Sequence, residues 1–270
     1  MSQLFRRAYR LVVGDLDVSN LAISFSVKKS LKPAPNTCEI RIRNLSQGHR
    51  NLLATPKKLP VRLEAGYVGA LATLYLGEMR SVASTIEGPT VITELTSVDS
   101  EDPFRKAKLN APISGKTPAE VLELMVQSYG VGAGNAKEMA AKLKSRGAAS
   151  VFGKRSVISG HLRDELNDFC RSANIEWSVL DGKFQFLDLG KPTENLAVSL
   201  SAETGLVGSP TVDNKGLASA TVLLTPELQP GRKVSFDAVN LKGGYRIINV
   251  EYVGDTAAQE WHAKLQCRKY

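Results

Sequence analysis

Residues 38–46 read CEIRIRNLS, and this stretch decides the fold. Apolar and charged side chains alternate through its first six residues, and a similar alternation of apolar with small or charged side chains covers 21–28. A period of two is typical of strands with one buried face. The alternation ends at Asn44. Ser46 is then placed to cap a short helix over 47–53, which Pro56 would end.

Further strands are predicted on the C-terminal side of this pair. Apolar segments lie at 61–65, 73–76 and 91–98, and glycine-bearing turns separate them at 66–69 and 87–89. Short strands at this spacing indicate a small antiparallel barrel or sandwich. We assign residues 1–105 to this N-terminal β-barrel.

The middle of the chain changes to the period of helices. Thr117 and Glu120 form a capping box with Pro118 at the first helical position, which predicts a helix to about Tyr129. Glycines at 130–134 stop it. A second helix is predicted from Asn135 to Gly147. A third is indicated by apolar residues at helical spacing, which are Leu162, Leu166, Phe169 and Cys170.

Strands return after these helices. The segments 177–179 and 184–186, joined across Asp181-Gly182, are typical of a hairpin with the favoured Asp-Gly turn. Later strands are predicted at 196–200, 217–224, 233–236, 245–252 and 261–267. The sequence therefore predicts a mainly β protein with an α+β insert: an N-terminal barrel at 1–105, the insert at 106–192 and a C-terminal barrel at 193–270.

Composition excludes several classes of protein. Hydrophobic residues make up 43% of the 270 residues, yet no stretch approaches the roughly 20 apolar residues that span a bilayer. The N-terminal apolar run Leu11–Val13 meets Gly14-Asp15 at once and is too short for a secretory signal. We expect no membrane insertion and a chain made in a cytoplasm.

Two segments could suggest catalysis. Asp164, Glu165 and Asp168 form an acidic group, but the apolar positions of the same helix place them on its solvent-facing side. The segment 114–117 (SGKT) is similar to the end of a phosphate-binding loop, but Asn110 stands where that motif needs glycine. We assign no catalytic or cofactor-binding residue.

Metal sites are equally unsupported by the sequence. His49, His161 and His262 are isolated from one another, and an odd number of widely spaced cysteines (Cys38, Cys170 and Cys267) gives neither a disulfide framework nor a metal knuckle. The Gly-Ala-Gly at 132–134 does not follow a strand and is interpreted as a loop. We assign no metal-binding residue and interpret the cysteines as buried apolar side chains.

The net charge of +8 raises the possibility of nucleic-acid binding. Pairs of basic residues occur at 6–7, 28–29, 57–58 and 154–155. Aromatic residues are not interleaved with them, and no recognition helix or finger spacing is present. Contacts at interfaces or with solvent are the favoured use of these residues, and they could also complement acidic neighbours in an assembly.

Several stretches resemble a known family in the same order along the chain. They are 35–46 (PNTCEIRIRNLS), 63–67 (LEAGY), 74–77 (LYLG), 205–210 (GLVGSP), 223–231 (LLTPELQPG), 244–246 (GYR), 253–256 (VGDT) and Trp261. Over nearly its whole length the chain is similar to the baseplate hub proteins of contractile-tailed phages, a group that includes late-control-gene-D-like proteins. These stretches mark turns and strands of the fold rather than a site.

The resemblance implies two small tail-tube-like β-barrels flanking the helix-containing module. It also implies a structural, non-enzymatic homotrimer in the tail baseplate of a virion, assembled in the host cytoplasm. Three copies would present six barrels and so adapt a six-fold tail tube to a three-fold spike. The implied partners are the tail tube or tube-initiator protein, the central spike protein, and baseplate wedge and tape-measure proteins.

Two alternatives remain open. Within the structural class, the chain could be a tail-tube or tube-initiator subunit, which would form six-fold rings and normally contain one barrel. In other classes, it could be a tail-associated cell-wall hydrolase or a nucleic-acid-binding protein.

Overall fold

The computed structural model describes residues 6–55, 57–146 and 156–270. The chain forms two compact units. The first combines Met1–Ser30, Asn36–Asp99 and Pro192–Tyr270, and the second contains Leu31–Pro35 and Ser100–Lys191. Both regions predicted to be β therefore lie in one unit. The finer division into three domains, with boundaries after residues 105 and 192, stays a prediction.

The first half of the larger unit contains the five strands predicted there and two strands at its N-terminal end that were not predicted. Its elements are β1 (Arg7–Val13), β2 (Leu16–Asp17), β3 (Ile23–Ser30), β4 (Thr37–Arg43), α1 (Gln47–Leu53), β5 (Pro60–Tyr67), β6 (Ala70–Glu87) and β7 (Thr90–Val98). The Ser46 side chain accepts from the His49 N–H and caps α1 as predicted. Pro56, the predicted end of that helix, lies outside the described residues.

The smaller unit contains most of the helices. Its elements are α2 (Glu101–Lys106), β8 (Lys108–Pro112), α3 (Pro118–Tyr129), α4 (Ala136–Ser145), β9 (Val157–His161), α5 (Leu162–Ser172), β10 (Ile175–Leu180) and β11 (Lys183–Asp188). All three predicted helices and the Asp181-Gly182 hairpin are confirmed. The predicted end of the second helix at Gly147 lies outside the described residues.

The smaller unit has a hydrophobic core of its own, centred on aromatic side chains. Phe104, Tyr129, Trp177 and Phe184 make edge, tilted or stacked contacts at 5.2 to 5.8 Å between ring centroids. Such contacts add about 0.5 to 1.5 kcal/mol each to the burial of apolar area. This core holds the helices against the β10–β11 hairpin.

The second half of the larger unit returns to strands. Its elements are β12 (Val198–Leu200), a 3₁₀ turn (Ala202–Thr204), β13 (Leu206–Val212), β14 (Leu217–Leu223), β15 (Lys233–Ala238), β16 (Leu241–Asp255) and β17 (Trp261–Lys269). Sequence periodicity predicted all of these strands except β13. Glycine at 208 and proline at 210 interrupt β13, and its register with β14 shifts between Val207 and Thr211.

The two halves of the larger unit share one pairing order. The first half runs β3-β4-β7-β6-β5 across the sheet, and the second runs β13-β14-β17-β16-β15. Both halves also carry a bulge at the same place: the register shifts between Met79 and Ser81 where β6 pairs with β7, and between Ile247 and Asn249 where β16 pairs with β17. Residues 79–87 of β6 are therefore equivalent to 247–255 of β16.

One strand pair joins the two halves into a single sheet. The C-terminal part of β16, residues 249–255, pairs antiparallel with 24–30 of β3. The N-terminal part of β16 pairs with β15, so this long strand changes its partner partway along one edge. Buried apolar residues from both halves form one continuous core. We call the β16–β3 pairing the internal joint.

Candidate assembly interface

The acidic residues considered for catalysis lie on the surface of the smaller unit. Asp164 pairs with Arg163 at 3.2 Å and Asp168 with Arg171 at 3.3 Å, and the carboxyl groups of both aspartates are mostly exposed. Leu162, the first residue of α5, is buried on the opposite side. Exposed carboxylates with neighbouring arginines form a solvated helix face, and nothing in this geometry brings two of them together around a substrate.

The segment 114–117 serves to begin a helix. The Thr117 backbone N–H and hydroxyl donate to Glu120 Oε2 at 2.7 and 2.9 Å, and the Glu120 N–H donates back to Thr117 Oγ1 at 3.4 Å. These hydrogen bonds hold the pKa of Glu120 below its usual value. Thr117 is therefore a helix cap, as the sequence predicts.

The histidines and cysteines do not assemble into a site. Among the described residues, no group of three or more His, Cys, Asp or Glu side chains is arranged to hold a metal ion. All three cysteines are free and buried. Burial raises the pKa of Cys170 and of Cys267 to about 12, and it raises the pKa of Cys38 as well.

Most of the described basic pairs make contacts within the protein. Arg7 donates to the backbone carbonyls of Ala258 and Gln259 at 2.5 and 2.6 Å. Lys58 lies 3.8 Å from a Glu78 carboxylate oxygen. The pair at 154–155 lies outside the described residues. Lys28 and Lys29 belong to the internal joint.

The apolar centre of the internal joint is a large side chain against a glycine. Phe25 on β3 covers Gly254 on β16, and a Cβ atom at Gly254 would lie 2.3 Å from Phe25 Cζ. Trp261 packs edge-on against the Phe25 ring with 5.5 Å between centroids, and its indole N–H donates to Gly66 O at 3.1 Å. Gly254 also pairs with Trp261 of β17, so the absent side chain at 254 lets Phe25 and Trp261 meet over it from the strands on either side of β16.

Polar contacts secure the rest of the internal joint. The Ser26 hydroxyl donates to Glu251 Oε1 at 3.1 Å, and Lys28 Nζ lies 3.8 Å from the same oxygen. Lys29 is only 2% exposed, and its ammonium group donates to Gln229 Oε1 at 3.2 Å. Gln229 lies in the connection between β14 and β15. This connection therefore contacts β3, the strand from the other half that pairs with β16 in the internal joint.

Two strand edges equivalent to those of the internal joint have no partner strand among the residues that the structure describes. Within the described chain, residues 81–87 of β6 pair with β7 alone, and β13 pairs with β14 alone. Large apolar side chains are exposed along these two edges: Ile86 is 78% exposed, and Val207 and Val212 are each 49% exposed. Unpaired, partly apolar edges are the usual places where a sheet accepts another strand.

An open groove of about 360 Å³ runs beside the β6 edge. One wall is the polar face of α1, with Gln47, Arg50 and Asn51, and the other is 82–86 of β6. The α1 segment connects β4 to β5 in the first half, as Gln229 and its neighbours connect β14 to β15 in the second. The position of the groove in the first half is therefore equivalent to the position in the second half where Gln229 contacts Lys29.

Sequence reasoning did not find these edges. The run 81–87 (SVASTIE) has no clear alternation, because both of its faces are largely exposed. The signals that could have found these edges were Ile86 in an otherwise small and polar run, and Val207 and Val212 in a segment interrupted by glycine and proline. No helix among the described residues is long and apolar enough to cross a membrane.

Solved structures of tail proteins share this fold. The chain is similar to the tail protein from Neisseria meningitidis MC58, with a TM-score of 0.67 at 9% identity over 98% of this chain and 97% of that one. It is similar to the 43 kDa tail protein of prophage MuSo2 from Shewanella oneidensis, with a TM-score of 0.62 at 9% identity over 96% and 97%.

A third similar structure comes from a secretion system. The E. coli c3393 protein, a component of the type VI secretion system with structural similarity to the T4 bacteriophage tail proteins gp27 and gp5, has a TM-score of 0.59 at 12% identity over 96% of this chain and 76% of that one. At these identities the similarity establishes the fold.

Family membership rests on the sequence itself. No curated protein matches the chain. The family model described as baseplate hub gp41 matches residues 11–267, which include both halves of the larger unit and the whole smaller unit. The chain belongs to the baseplate hub gp41 family of phage tail structural proteins.

Proposed function

We propose that this protein closes into a homotrimeric ring at the end of a phage tail tube and adapts the six-fold tube to a three-fold spike. The observation that carries the proposal is the repeated pairing order within one chain. A chain with two equivalent halves gives six equivalent units in a ring of three copies. The same ring then presents a six-fold arrangement to one neighbour and a three-fold arrangement to the other.

The partners of this ring follow from its place in the tail. The tail tube or tube-initiator protein would bind the face built from the repeated halves, and the central spike protein would bind the opposite face. Baseplate wedge and tape-measure proteins are the remaining partners that we propose. The role is one of connection, in a virion baseplate assembled in the host cytoplasm, and it requires no catalytic residue.

The mass of the purified full-length protein tests this proposal. Light scattering is expected to give about three times the 29.2 kDa of one chain for the protein alone or, on mixing with the spike protein of the same tail, a complex that contains three copies of the chain. A stable six-copy ring would identify a tube subunit instead. A monomer that binds neither spike nor tube would overturn the proposal and reopen the hydrolase and nucleic-acid alternatives. Salt-dependent heparin binding is then the next measurement for the nucleic-acid alternative.

A further inference from the structure

The internal joint and the two unpartnered edges are built from equivalent strands. In the joint, the C-terminal part of β16 pairs with β3. The equivalent of β16 in the other half is β6, and the equivalent of β3 is β13. We propose that residues 81–87 of β6 in one copy pair antiparallel with β13 of the next copy, in the register of the internal joint. This inference rests on the proposed ring and names the contact that closes it.

The register follows from the pairings inside one chain. Ser84 and Thr85 of β6 are equivalent to Tyr252 and Val253 of β16, because the bulges of the two strands coincide. Val27 and Ser26 of β3 are equivalent to Val212 and Thr211 of β13, because they stand opposite equivalent residues of β4 and β14.

The internal joint places Tyr252 opposite Val27, and Val253 opposite Ser26. The contact between copies therefore places Ser84 opposite Val212 of the partner subunit, and Thr85 opposite Thr211 of the partner subunit. Residues directly opposite one another in such a pair have Cβ atoms about 4.5 to 5.5 Å apart.

At both contacts a large side chain of one strand lies opposite small residues of the other, but the two contacts differ in which strand carries the large side chain. The internal joint sets Phe25 of β3 against Gly254 of β16. The residue equivalent to Gly254 is Ile86, and the segment equivalent to Phe25 is the bulge that contains Gly208 and Pro210. Between copies, the large side chain thus comes from β6 and the small residues come from β13. Each contact has space for one large side chain at this point.

Residues on the two unpaired edges are more exposed than the equivalent residues of the internal joint, as expected for edges that lack a partner strand. Val27 is completely buried in the internal joint, whereas its equivalent Val212 is 49% exposed. Gly254 is buried, and its equivalent Ile86 is 78% exposed. Pairing the two edges would remove this apolar surface from water at about 25 cal/mol per Å² and satisfy both rows of backbone groups.

The groove beside β6 fits the turn at the end of β13. In the internal joint, Lys29 of β3 reaches the connection that holds Gln229. Its equivalent in the second half falls in the β13–β14 turn, directly after Asp213. The partner's turn would therefore enter the groove lined by Arg50, with the partner's Asn214 in the position that Lys29 takes in the internal joint. The contact is head to tail, and such contacts close into a ring when the rotation permits.

Paired cysteines at Thr85 and Thr211 test the register. Both threonines are exposed, so the double variant Thr85→Cys/Thr211→Cys keeps the fold. Oxidation of the full-length protein is expected to give covalent dimers and trimers on a denaturing gel. Each single variant and the unsubstituted protein are expected to stay monomeric there, because the three native cysteines are buried. The matched control Ser84→Cys/Thr211→Cys moves one cysteine by one residue, to the opposite face of the sheet. It is expected to cross-link far less.

Light scattering on the same samples separates this inference from the proposed function. A trimer that does not cross-link through 85 and 211, or that cross-links equally through the control pair, overturns the strand pairing and leaves the ring standing. A protein that stays monomeric both alone and after mixing with the spike and tube proteins overturns both.

A second variant tests the edge without cysteines. Ile86→Arg is expected to shift the trimer toward monomer at least tenfold, while the circular dichroism spectrum of the folded subunit stays unchanged. Val239→Arg, at a fully exposed position in the β15–β16 turn, is the matched control and is expected to leave the trimer intact. An intact Ile86→Arg trimer contradicts the proposed contact.

Discussion

The ring of Phe25 lies against the backbone of Gly254, so close that a Cβ atom at position 254 would be 2.3 Å from Phe25 Cζ. These two residues belong to the two halves of the larger unit, and their contact lies in the strand pair that makes one sheet of them. The stability of the unit therefore depends on the absence of a side chain at this glycine.

Gly254→Ala tests that dependence. The added methyl group must displace the ring, and we expect a loss of about 1 to 3 kcal/mol in the free energy of unfolding, the usual cost of overpacking. Urea unfolding measures it. Combining Gly254→Ala with Phe25→Leu should cost less than the sum of the single changes, because the smaller side chain makes room. Gly48→Ala, where the added methyl meets nothing within 4 Å, is the control and should cost nothing. Equal losses in the two alanine variants would contradict the steric explanation.

Asn135→Ala should destabilise the smaller unit. The Asn135 side chain accepts from the Phe186 N–H and donates to the Phe186 carbonyl, each at 2.8 Å, and so ties the start of α4 to β11. Removing both bonds leaves backbone groups without partners, at a cost of about 1 to 3 kcal/mol in the free energy of unfolding.

Fluorescence-detected urea unfolding checks this loss, since Trp177 lies in the same core. Asn110→Ala, at an exposed position of β8 in the same unit, is the matched control. Asn135→Asp keeps the acceptor and loses the donor, so its loss should fall between those of the other two variants. A neutral Asn135→Ala would show that water replaces the side chain.

Thr117→Ala should weaken the start of α3 by about 1 kcal/mol, the usual cost of losing a capping hydroxyl. Thr117→Ser keeps the hydroxyl and should restore most of the stability. Hydrogen exchange of the first turn of α3 measures the local effect. Equal exchange rates in the alanine and serine variants would contradict the capping role.

The three cysteines should be unreactive in the folded protein. Burial raises the pKa of Cys170 and of Cys267 to about 12, so the thiolate that reacts with a disulfide reagent is scarce near neutral pH as well as inaccessible. We expect no thiol to react with dithionitrobenzoate within minutes in native buffer and three to react in guanidinium chloride. A rapidly reacting native thiol would contradict this burial.

Much of the secondary structure could be predicted because its signals are local. The capping box of Thr117 and Glu120 lies within four residues and correctly places the start of α3. Period-two alternation correctly placed β3, β4 and β17. The same reasoning shortened β6 to 73–76, since its C-terminal part has exposed faces and thus no alternation.

The sequence by itself determined three of the helices, most of the longer strands, the order β, α+β, β, and the family. Only the tertiary structure decided that β16 changes its partner from β15 to β3, that Asn135 binds Phe186, and that β6 and β13 have edges without a partner strand in the described chain. The physical reason is sequence separation. A cap or an alternating face is specified by neighbouring residues, whereas the joint brings together Ser26 and Glu251, 225 residues apart, and their register is set by packing that no local pattern contains.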